Sequence, residues 1–244
     1  MYKTEGIVLR TRNLGEADKV VTLYTKTHGK VAAAARGSRR VRNRLLGVTQ
    51  IFTHGRYLLF EGKSLDSLSQ GEILHSFQPL RDDLDTMAQA MYITELVDVF
   101  VEESEPHVEI FHLLLQTLQS HTEDLFVLAV RAFELRLMAH LGYQPQLELC
   151  LNCGCMPEQE LVFSREGGIL CSDCRTEYPQ ALPLSRGTWQ LMQRLLFSDW
   201  RRLFVLRPSP QHLQELQACL RQYIDFRLER PLRSLGFLTD LQVF

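Results

Sequence analysis

The sequence predicts an α+β protein in which a five-stranded barrel is followed by a helical domain carrying a four-cysteine metal module. Three observations lead to this prediction. Short β-branched segments separated by glycine-containing turns occupy residues 5–77, which is the spacing of a small antiparallel barrel or sandwich. Apolar residues at three-to-four spacing follow Pro79 and indicate amphipathic helices. Five of the six cysteines fall within residues 150–174.

Five segments of the amino-terminal part have strand character. In chain order they read GIVLRTR, KVVTLYT, KVAAAARG, HGRYLLFEG and SLDSLSQGEIL. Tight turns are predicted at NLGEAD and THGK, where glycine and polar residues interrupt the apolar alternation. Periodicity alone does not show whether the strands close. A strongly basic five-stranded unit nevertheless favours an oligonucleotide-binding (OB) fold, which we expect at residues 1–79.

The formal net charge of −2 conceals a strong asymmetry along the chain. Residues 1–60 contain 12 Lys and Arg against 3 Asp and Glu, whereas residues 61–130 contain 2 against 14. No acidic residue lies between Asp18 and Glu61. This asymmetry indicates a polyanionic partner for the first part of the chain only.

The segment RGSRRVRNR at residues 36–44 holds five arginines in nine positions. On a loop between strands it would form a flexible cationic arm that neutralises phosphates and releases their counterions. The alternative is a solvated charged loop without a ligand. Aromatic residues of the barrel could stack on bases, although for each of them the core is the favoured position. The DNA-binding residues predicted here are Lys30, Arg36, Arg39, Arg40, Arg42 and Arg44.

The second part, predicted as a helical domain at residues 80–244, contains five segments with helical periodicity. They span residues 82–103, 107–121, 123–142, 185–198 and 209–229. Gly142 is a predicted carboxyl-terminal stop. Ser185 and Ser209 are predicted amino-terminal caps, the second followed by Pro210 at the first helical position. The first three segments predict a helical bundle.

Four cysteines form the pattern C-x2-C-x17-C-x2-C, which lies within the range for a four-thiolate zinc site. They are Cys150, Cys153, Cys171 and Cys174. Each C-x2-C turns two thiolates toward one ion, and four cysteines close its coordination shell, so the zinc is expected to be structural. The module is predicted at residues 148–178. A redox pair is the alternative, and it would need a thioredoxin-like strand and helix setting.

The two remaining cysteines are expected outside this shell. Cys155 is a spare that could replace Cys153, but its shift by two residues would spoil the knuckle spacing. Cys219 lies on an apolar helix face and is predicted to be a small buried side chain.

The sequence contains neither a complete motif of the enzyme classes considered nor a candidate membrane span. The segment EGKS at residues 61–64 has Tyr57 where a phosphate-binding loop needs its first glycine, and no HExxH motif occurs. We therefore expect a protein that is not an enzyme. The amino terminus lacks the features of a secretory signal, and no segment approaches the roughly 20 apolar residues of a membrane span. The expected location is the cytoplasm.

Four segments, taken in series, strongly resemble the RecO family of bacterial DNA repair and recombination mediators. They are GIVLRTRNLGEADKVVTLYTKTHGKVAAAARGSRR, RAFELRLMAHLGYQP, the C-x2-C pair and RPLRSLGFL, which together extend over nearly the whole chain. The resemblance implies an amino-terminal OB-fold, a helical domain and, in many members, a zinc module. It also implies a protein that binds single- and double-stranded DNA and anneals complementary strands. With RecR, such a protein helps RecA replace single-stranded DNA-binding protein.

The resemblance can be transferred by position. Arg36, Gly37, Arg39 and Arg40 match the family's basic loop, Arg131, Phe133 and Glu134 its helical motif, and Arg233 and Ser234 its terminal motif. Residues 61–130 are strongly acidic and would interrupt a continuous DNA-binding surface. This part of the chain is therefore not expected to contact DNA. A different class of function, a zinc-stabilised adaptor between proteins with no direct DNA role, is the alternative.

The tail of single-stranded DNA-binding protein, an implied partner, is acidic and ends in an aromatic residue. Its receptor should combine an apolar groove with a few cations. The candidate partner-binding residues are Arg131, Arg136, Arg227 and Arg233. The alternative is that these arginines form surface ion pairs with neighbours such as Glu134 and Glu229.

Overall fold

The computed structural model describes residues 1–121, 123–157 and 160–234. The chain forms two compact units. The first contains Met1–Glu123 and the described residues from Leu232 onward, and the second contains Asp124–Pro231. No helix in the described ranges is long and apolar enough to cross a membrane. The last ten residues of the predicted helical domain, including the end of the RPLRSLGFL motif, lie outside the described residues.

The first unit contains a closed barrel of five strands. The strands are β1 (Tyr2–Leu14), β2 (Asp18–Thr25), β3 (Gly29–Ala35), β4 (His54–Phe60) and β5 (Asp66–His75). They close in the order β1-β2-β3-β5-β4, and β3 and β5 pair in parallel while the other neighbours are antiparallel. A short helix, α1 (Leu45–Val48), connects β3 to β4. The five predicted strands and the OB-like barrel are confirmed.

The barrel forms because alternate apolar residues of each strand face one interior. Val21 and Leu23 of β2 lie in the core with Tyr57 and Leu59 of β4, as the two-residue period of a strand requires. The predicted turn at THGK is also present. Gly29 there has φ +64°, and a Cβ atom on it would lie 2.5 Å from the Glu105 nitrogen, so only glycine fits.

Three helices follow the barrel in the first unit: α2 (Pro79–Asp82), α3 (Leu84–Phe100) and α4 (Val108–Gln119). Asp83 caps α3 by accepting a hydrogen bond from the Thr86 nitrogen. Asp98 of α3 forms ion pairs with Arg10 at 2.7 Å and with Lys30 at 3.6 Å. Part of the acidic excess of residues 61–130 is thus paired with the basic barrel inside the same unit.

The second unit combines helices with a small sheet. Its elements are α5 (Glu123–His140), β6 (Leu161–Ser164), β7 (Gly168–Cys171), β8 (Leu182–Leu184), α6 (Arg186–Phe197), α7 (Trp200–Leu203) and α8 (Pro210–Asp225). The sheet has the order β7-β6-β8. Helix α5 ends as predicted, because Gly142 has φ +84° and donates to the Ala139 carbonyl. The caps Ser185 and Ser209 accept from the Thr188 and His212 nitrogens.

The two units divide elements that the periodicity groups together. Helices α3 and α4 belong to the first unit and α5 to the second, although all three were predicted as one bundle. Strand β8 and the short helices α1, α2 and α7 were missed, because three or four residues are too short for a periodic pattern. The proposed domain boundary at residue 80 marks the change from strands to helices, and it remains a prediction.

Candidate metal centre and nucleic-acid interface

The four cysteines of the predicted module converge in the second unit. The sulfur atoms of Cys150, Cys153, Cys171 and Cys174 all lie within 4.8 Å of one another. The Cys153 and Cys171 sulfurs are 3.8 Å apart. Sulfurs that bind one tetrahedral ion through bonds of about 2.3 Å are about 3.8 Å apart. The donor set therefore fits a metal ion held by four thiolates.

Two tight turns present these cysteines. In the first turn the Gly154 nitrogen donates to the Cys150 carbonyl at 2.9 Å, and the Cys150 nitrogen donates to the Cys155 carbonyl at 2.8 Å. Gly154 has φ +72°, a conformation that favours glycine. The second turn begins where β7 ends at Cys171. In this second turn the Arg175 nitrogen donates to the Ser172 carbonyl at 3.3 Å, so local backbone hydrogen bonds shape both knuckles.

Hydrogen bonds also prepare the sulfurs for a metal. The Cys171 nitrogen donates to the Cys150 sulfur at 3.5 Å, and the Asn152 side chain donates to the Cys174 sulfur at 3.4 Å. Burial by itself would raise the pKa of Cys150, but backbone N–H groups of Cys153, Cys171 and Asn152 lower its pKa to about 6. Because only the thiolate binds a metal, this environment favours the ligand form of Cys150.

The fifth cysteine of the cluster lies on its solvent side. Cys150, Cys171 and Cys174 are buried, whereas Cys153 and Cys155 are exposed. Hydrogen bonding to the Cys153 thiol, together with desolvation and a hydrogen bond to Cys171, raises the pKa of Cys155 to about 12. Cys219, outside the cluster, is fully buried in α8, as predicted.

The predicted basic loop connects β3 to α1 and presents its cations to solvent. Arg36, Arg39, Arg40, Arg42 and Arg44 are all exposed. Within the described ranges none of the five forms an ion pair with a carboxylate. Their positive charge is therefore available to a polyanion.

The loop is bent toward the β1–β2 turn, which differs from the free arm expected. The Gly37 nitrogen donates to the Asp18 carboxylate at 2.7 Å. The Arg39 guanidinium donates to the carbonyls of Gly15 at 3.2 Å and Glu16 at 2.9 Å. Burial and then the charge of Arg39 lower the pKa of Lys19. The loop and the turn thus form one shaped basic edge.

Lys30 has a different environment from the loop arginines. Its ammonium group donates to the carbonyls of Asp98 at 2.6 Å and Val101 at 2.9 Å, and only 12% of its side chain is exposed. These bonds hold the Lys30 ammonium group at the carboxyl-terminal end of α3. Among the aromatic residues considered for base stacking, Tyr24, Phe52 and Tyr57 are buried, while Phe60 is 46% exposed.

Two of the candidate partner-binding arginines lie inside the second unit. Arg131 is 3% exposed and forms an ion pair at 3.1 Å with Glu134, which is fully buried. Arg136 donates to the carbonyls of Leu195 at 2.8 Å and Ser198 at 2.6 Å, at the end of α6. Arg136 thus connects α5 to the end of α6. Arg131 pairs with Glu134, the neighbour that the alternative named, but the pair is buried and not on the surface.

The other two candidates differ from each other. Arg227 donates to the carbonyls of Arg165 and Tyr223, each at 2.9 Å, and to that of Glu166 at 2.7 Å. Arg233, in the first unit, is exposed, and its backbone nitrogen donates to Glu95 at 2.9 Å. Only Arg233 of the four therefore presents an exposed side chain.

An apolar and cationic groove lies beside Arg227, which was one of the candidate positions, but the sequence did not identify the residues that line it. It has a volume of about 600 Å³ and is lined by Arg165, Leu182, Ala218, Arg221, Gln222, Asp225 and Phe226. The Phe226 ring is 49% exposed, and the Arg165 guanidinium lies 4.8 Å from its centre. This combination suits an acidic ligand with an aromatic end. The spacing of residues along the sequence does not indicate this groove, because residues from three separate segments line it.

A second cationic groove of about 200 Å³ involves the beginnings of α6 and α8. Arg194, Arg207 and His212 line it together with Leu191 and Leu206. A signal for it was present in the sequence. Asp199 is the single acidic residue between Glu177 and Glu215, a range that contains five arginines.

Comparison with known proteins identifies the family. Residues 1–77 match the family described as Recombination protein O N terminal, and residues 81–236 match Recombination protein O C terminal. A DNA repair protein RecO from Symbiobacterium thermophilum is 44% identical over 249 residues, covering 99% of this chain and 98% of the relative. Those from Desulforamulus reducens and Bacillus pumilus are 37% and 36% identical over 243 and 247 residues, each covering 99% of this chain and 95% of the relative. With both parts matched and the full length aligned, this chain belongs to the RecO family of DNA repair proteins.

Proposed function

We propose that this protein binds single- and double-stranded DNA through the basic edge of its barrel and anneals complementary strands without being an enzyme. The observation that carries this proposal is the loop at residues 36–44, whose five arginines are exposed and lack carboxylate partners in the described chain. Phosphates can replace the water around such cations and release counterions. The OB-like barrel supports the same ligand class.

The proposed cellular role follows from the family. The protein acts with RecR to help RecA replace single-stranded DNA-binding protein on single strands. RecA is affected indirectly, through the exposed strand. The proposed location is the cytoplasm, at the nucleoid. The proposed domains are an OB-fold at residues 1–79, a helical domain at residues 80–244 and a metal module at residues 148–178.

The salt dependence of oligonucleotide binding tests the basic loop. Replacing Arg40, Arg42 and Arg44 together by Ala should weaken binding to all sequences and flatten the slope of log K against log salt by about 0.7 to 0.9 per lost contact. Fluorescence anisotropy with labelled single and double strands measures this slope. Little base preference is expected, because phosphate contacts carry no sequence information.

A matched pair of single variants sharpens the test. Arg40 and Arg56 are both exposed arginines of the barrel unit, but Arg56 lies 3.5 Å from the Glu72 carboxylate. Arg40→Ala should reduce the slope and Arg56→Ala should leave it unchanged. Equal slopes for wild type and the triple variant would contradict DNA binding by the loop and favour the adaptor alternative.

We also propose that the groove beside Arg227 receives the acidic, aromatic-ended tail of single-stranded DNA-binding protein. Exposed Phe226 supplies the apolar contact, and Arg165 supplies a cation whose ion pair with Glu166 is long, at 3.6 Å, and partly exposed. Arg165→Glu should weaken binding of a synthetic tail peptide by about tenfold or more and leave oligonucleotide binding intact. Arg230→Glu, a charge-matched change at another exposed arginine, is the control. Equal losses for the two variants would argue against this receptor.

The proposed metal is zinc, held by the four converging cysteines in a closed shell with a structural role. One zinc per chain is expected from elemental analysis of protein purified under reducing conditions. Cys171→Ala and Cys174→Ala should each lose it, since each removes one thiolate of four. A metal-free protein that melts cooperatively with four free thiols would contradict this assignment.

A further inference from the structure

The metal cluster carries an exposed thiol that the four-cysteine site does not use. Cys155 lies two residues after the ligand Cys153, and both are exposed, whereas the other three cysteines of the site are buried. The side chain of Cys155 lies close enough to those of Cys153 and Cys171 to interact with both. A second exposed thiol therefore lies beside the most accessible ligand of the site.

The turn between the two cysteines is open at Gly154. Gly154 has φ +72°, and no atom of the described residues lies within 4 Å of the position that a Cβ would occupy on it. The chain is thus open to solvent at this turn. A small oxidant can reach Cys153 from this side, while Cys150 at 3% exposure and Cys174 at 7% are screened by the protein.

We propose that Cys153 and Cys155 form an oxidation-sensitive pair that closes into a disulfide with a peroxide and thereby removes one ligand from the metal. The inference rests on the proposed metal site. It assigns to Cys155 a chemical role that four-thiolate binding does not require.

The chemistry balances with hydrogen peroxide as the oxidant. The Cys153 thiolate attacks one peroxide oxygen, so that an S–O bond forms, the O–O bond breaks and a hydroxide leaves, which takes a proton from solvent to become water. The Cys155 sulfur then attacks the resulting sulfenic sulfur, an S–S bond forms, and the hydroxyl leaves as a second water with the Cys155 proton. The two sulfurs lose two electrons, and the peroxide gains them. Three thiolates remain, which is an incomplete shell for a structural site.

Peroxide titration of the zinc-loaded full chain tests this pair. Metal release is followed with a colorimetric chelator, and the disulfide is mapped by alkylation and fragmentation mass spectrometry. Wild type should lose its zinc as a Cys153–Cys155 disulfide forms, and dithiothreitol with added zinc should restore the site. Cys155→Ser should still bind one zinc, release it several-fold more slowly and show over-oxidised Cys153 that dithiothreitol does not repair.

Cys219→Ala is the control, because Cys219 is a buried thiol outside the cluster, and it should behave as wild type does. Identical release and recovery in wild type and Cys155→Ser would overturn the proposal, as would failure of Cys155→Ser to bind zinc, which would make Cys155 a ligand. Should wild type hold no metal, the metal assignment fails by itself. The mapping of thiols after peroxide then still decides whether the Cys153–Cys155 pair forms.

Discussion

Arginine side chains have two opposite roles in this protein, and burial separates them. Arg40 is exposed on the basic loop and has no carboxylate partner among the described residues, so its charge can serve a ligand. Arg131 is 3% exposed and pairs with Glu134 within α5. A buried ion pair contributes little net stability, but removing one partner leaves the other charge buried without it. The same residue type is therefore a binding element at one position and a structural element at the other.

Arg131→Met should destabilise the second unit by about 3 to 5 kcal/mol, because Glu134 then loses this ion-pair partner in a buried position. Chemical denaturation monitored by circular dichroism measures the free energy of unfolding. The double variant Arg131→Met with Glu134→Leu should recover most of the loss, and Arg233→Met, at an exposed arginine, should change little. If Arg131→Met remains stable and loses only tail-peptide binding, Arg131 is a partner contact after all.

At the scale of the elements, strands β1 and β4 pair a histidine with a carboxylate at the barrel wall. His54 of β4 is 3% exposed, and its Nε2 atom lies 2.7 Å from the Glu5 carboxylate of β1. Its ring also lies parallel to that of His75 on β5, with 5.5 Å between the ring centres. Burial lowers the pKa of His54, although Glu5 opposes this effect, and His75 and Arg56 lower it further.

The lowered pKa of His54 determines how the stability of the fold changes with pH. In the unfolded chain His54 binds a proton below its ordinary pKa of about 6.5, whereas the folded barrel resists protonation until the pH is lower. Stability from neutral His54 is therefore complete above about pH 6.5 and is lost as the pH falls toward the folded pKa. Melting temperatures between pH 7.5 and 5 should fall less in His54→Gln than in wild type. His112→Gln, at an exposed histidine of α4, should follow wild type, and parallel curves for all three proteins would contradict this assignment.

At the scale of the whole molecule, the two compact units have different sources of stability. The barrel has an apolar core that includes Val8, Val21, Leu23, Tyr57 and Leu59. Three of the five buried residues in the cluster around the metal module are cysteines, beside Val162 and Leu170. We therefore expect the proposed metal to stabilise so small an apolar cluster, because metal binding to such a site is coupled to folding.

Removal of the metal should therefore act on the second unit alone. A strong chelator should speed amide hydrogen exchange in β6, β7 and the knuckles, while the exchange of β1 to β5 stays unchanged. Mass spectrometry of peptides from both units measures this, and re-addition of zinc should restore protection. An equal increase in amide hydrogen exchange in the barrel and in the module would show that the metal stabilises the entire chain.

The sequence by itself determined the features that depend on neighbours along the chain. The five strands follow from apolar alternation, the helix starts from Ser185 and Ser209, and the stop of α5 from Gly142. The spacing of the cysteines determined the cysteine cluster, because two C-x2-C knuckles with two cysteines each can turn four sulfurs toward one point. These are short-range properties, and they were predicted correctly.

The tertiary structure alone decided which charges are available. Lys30 lies in the basic part of the sequence, yet its ammonium group is bound to the Asp98 carbonyl, 68 residues away. A sequence pattern identifies Arg227 only as a polar residue. In the structure its guanidinium donates to the Arg165 and Glu166 carbonyls. Hydrogen-bond partners and burial are set by contacts between residues far apart in the chain, which no local pattern encodes. For the same reason the sequence did not identify the residues that line the groove beside Phe226.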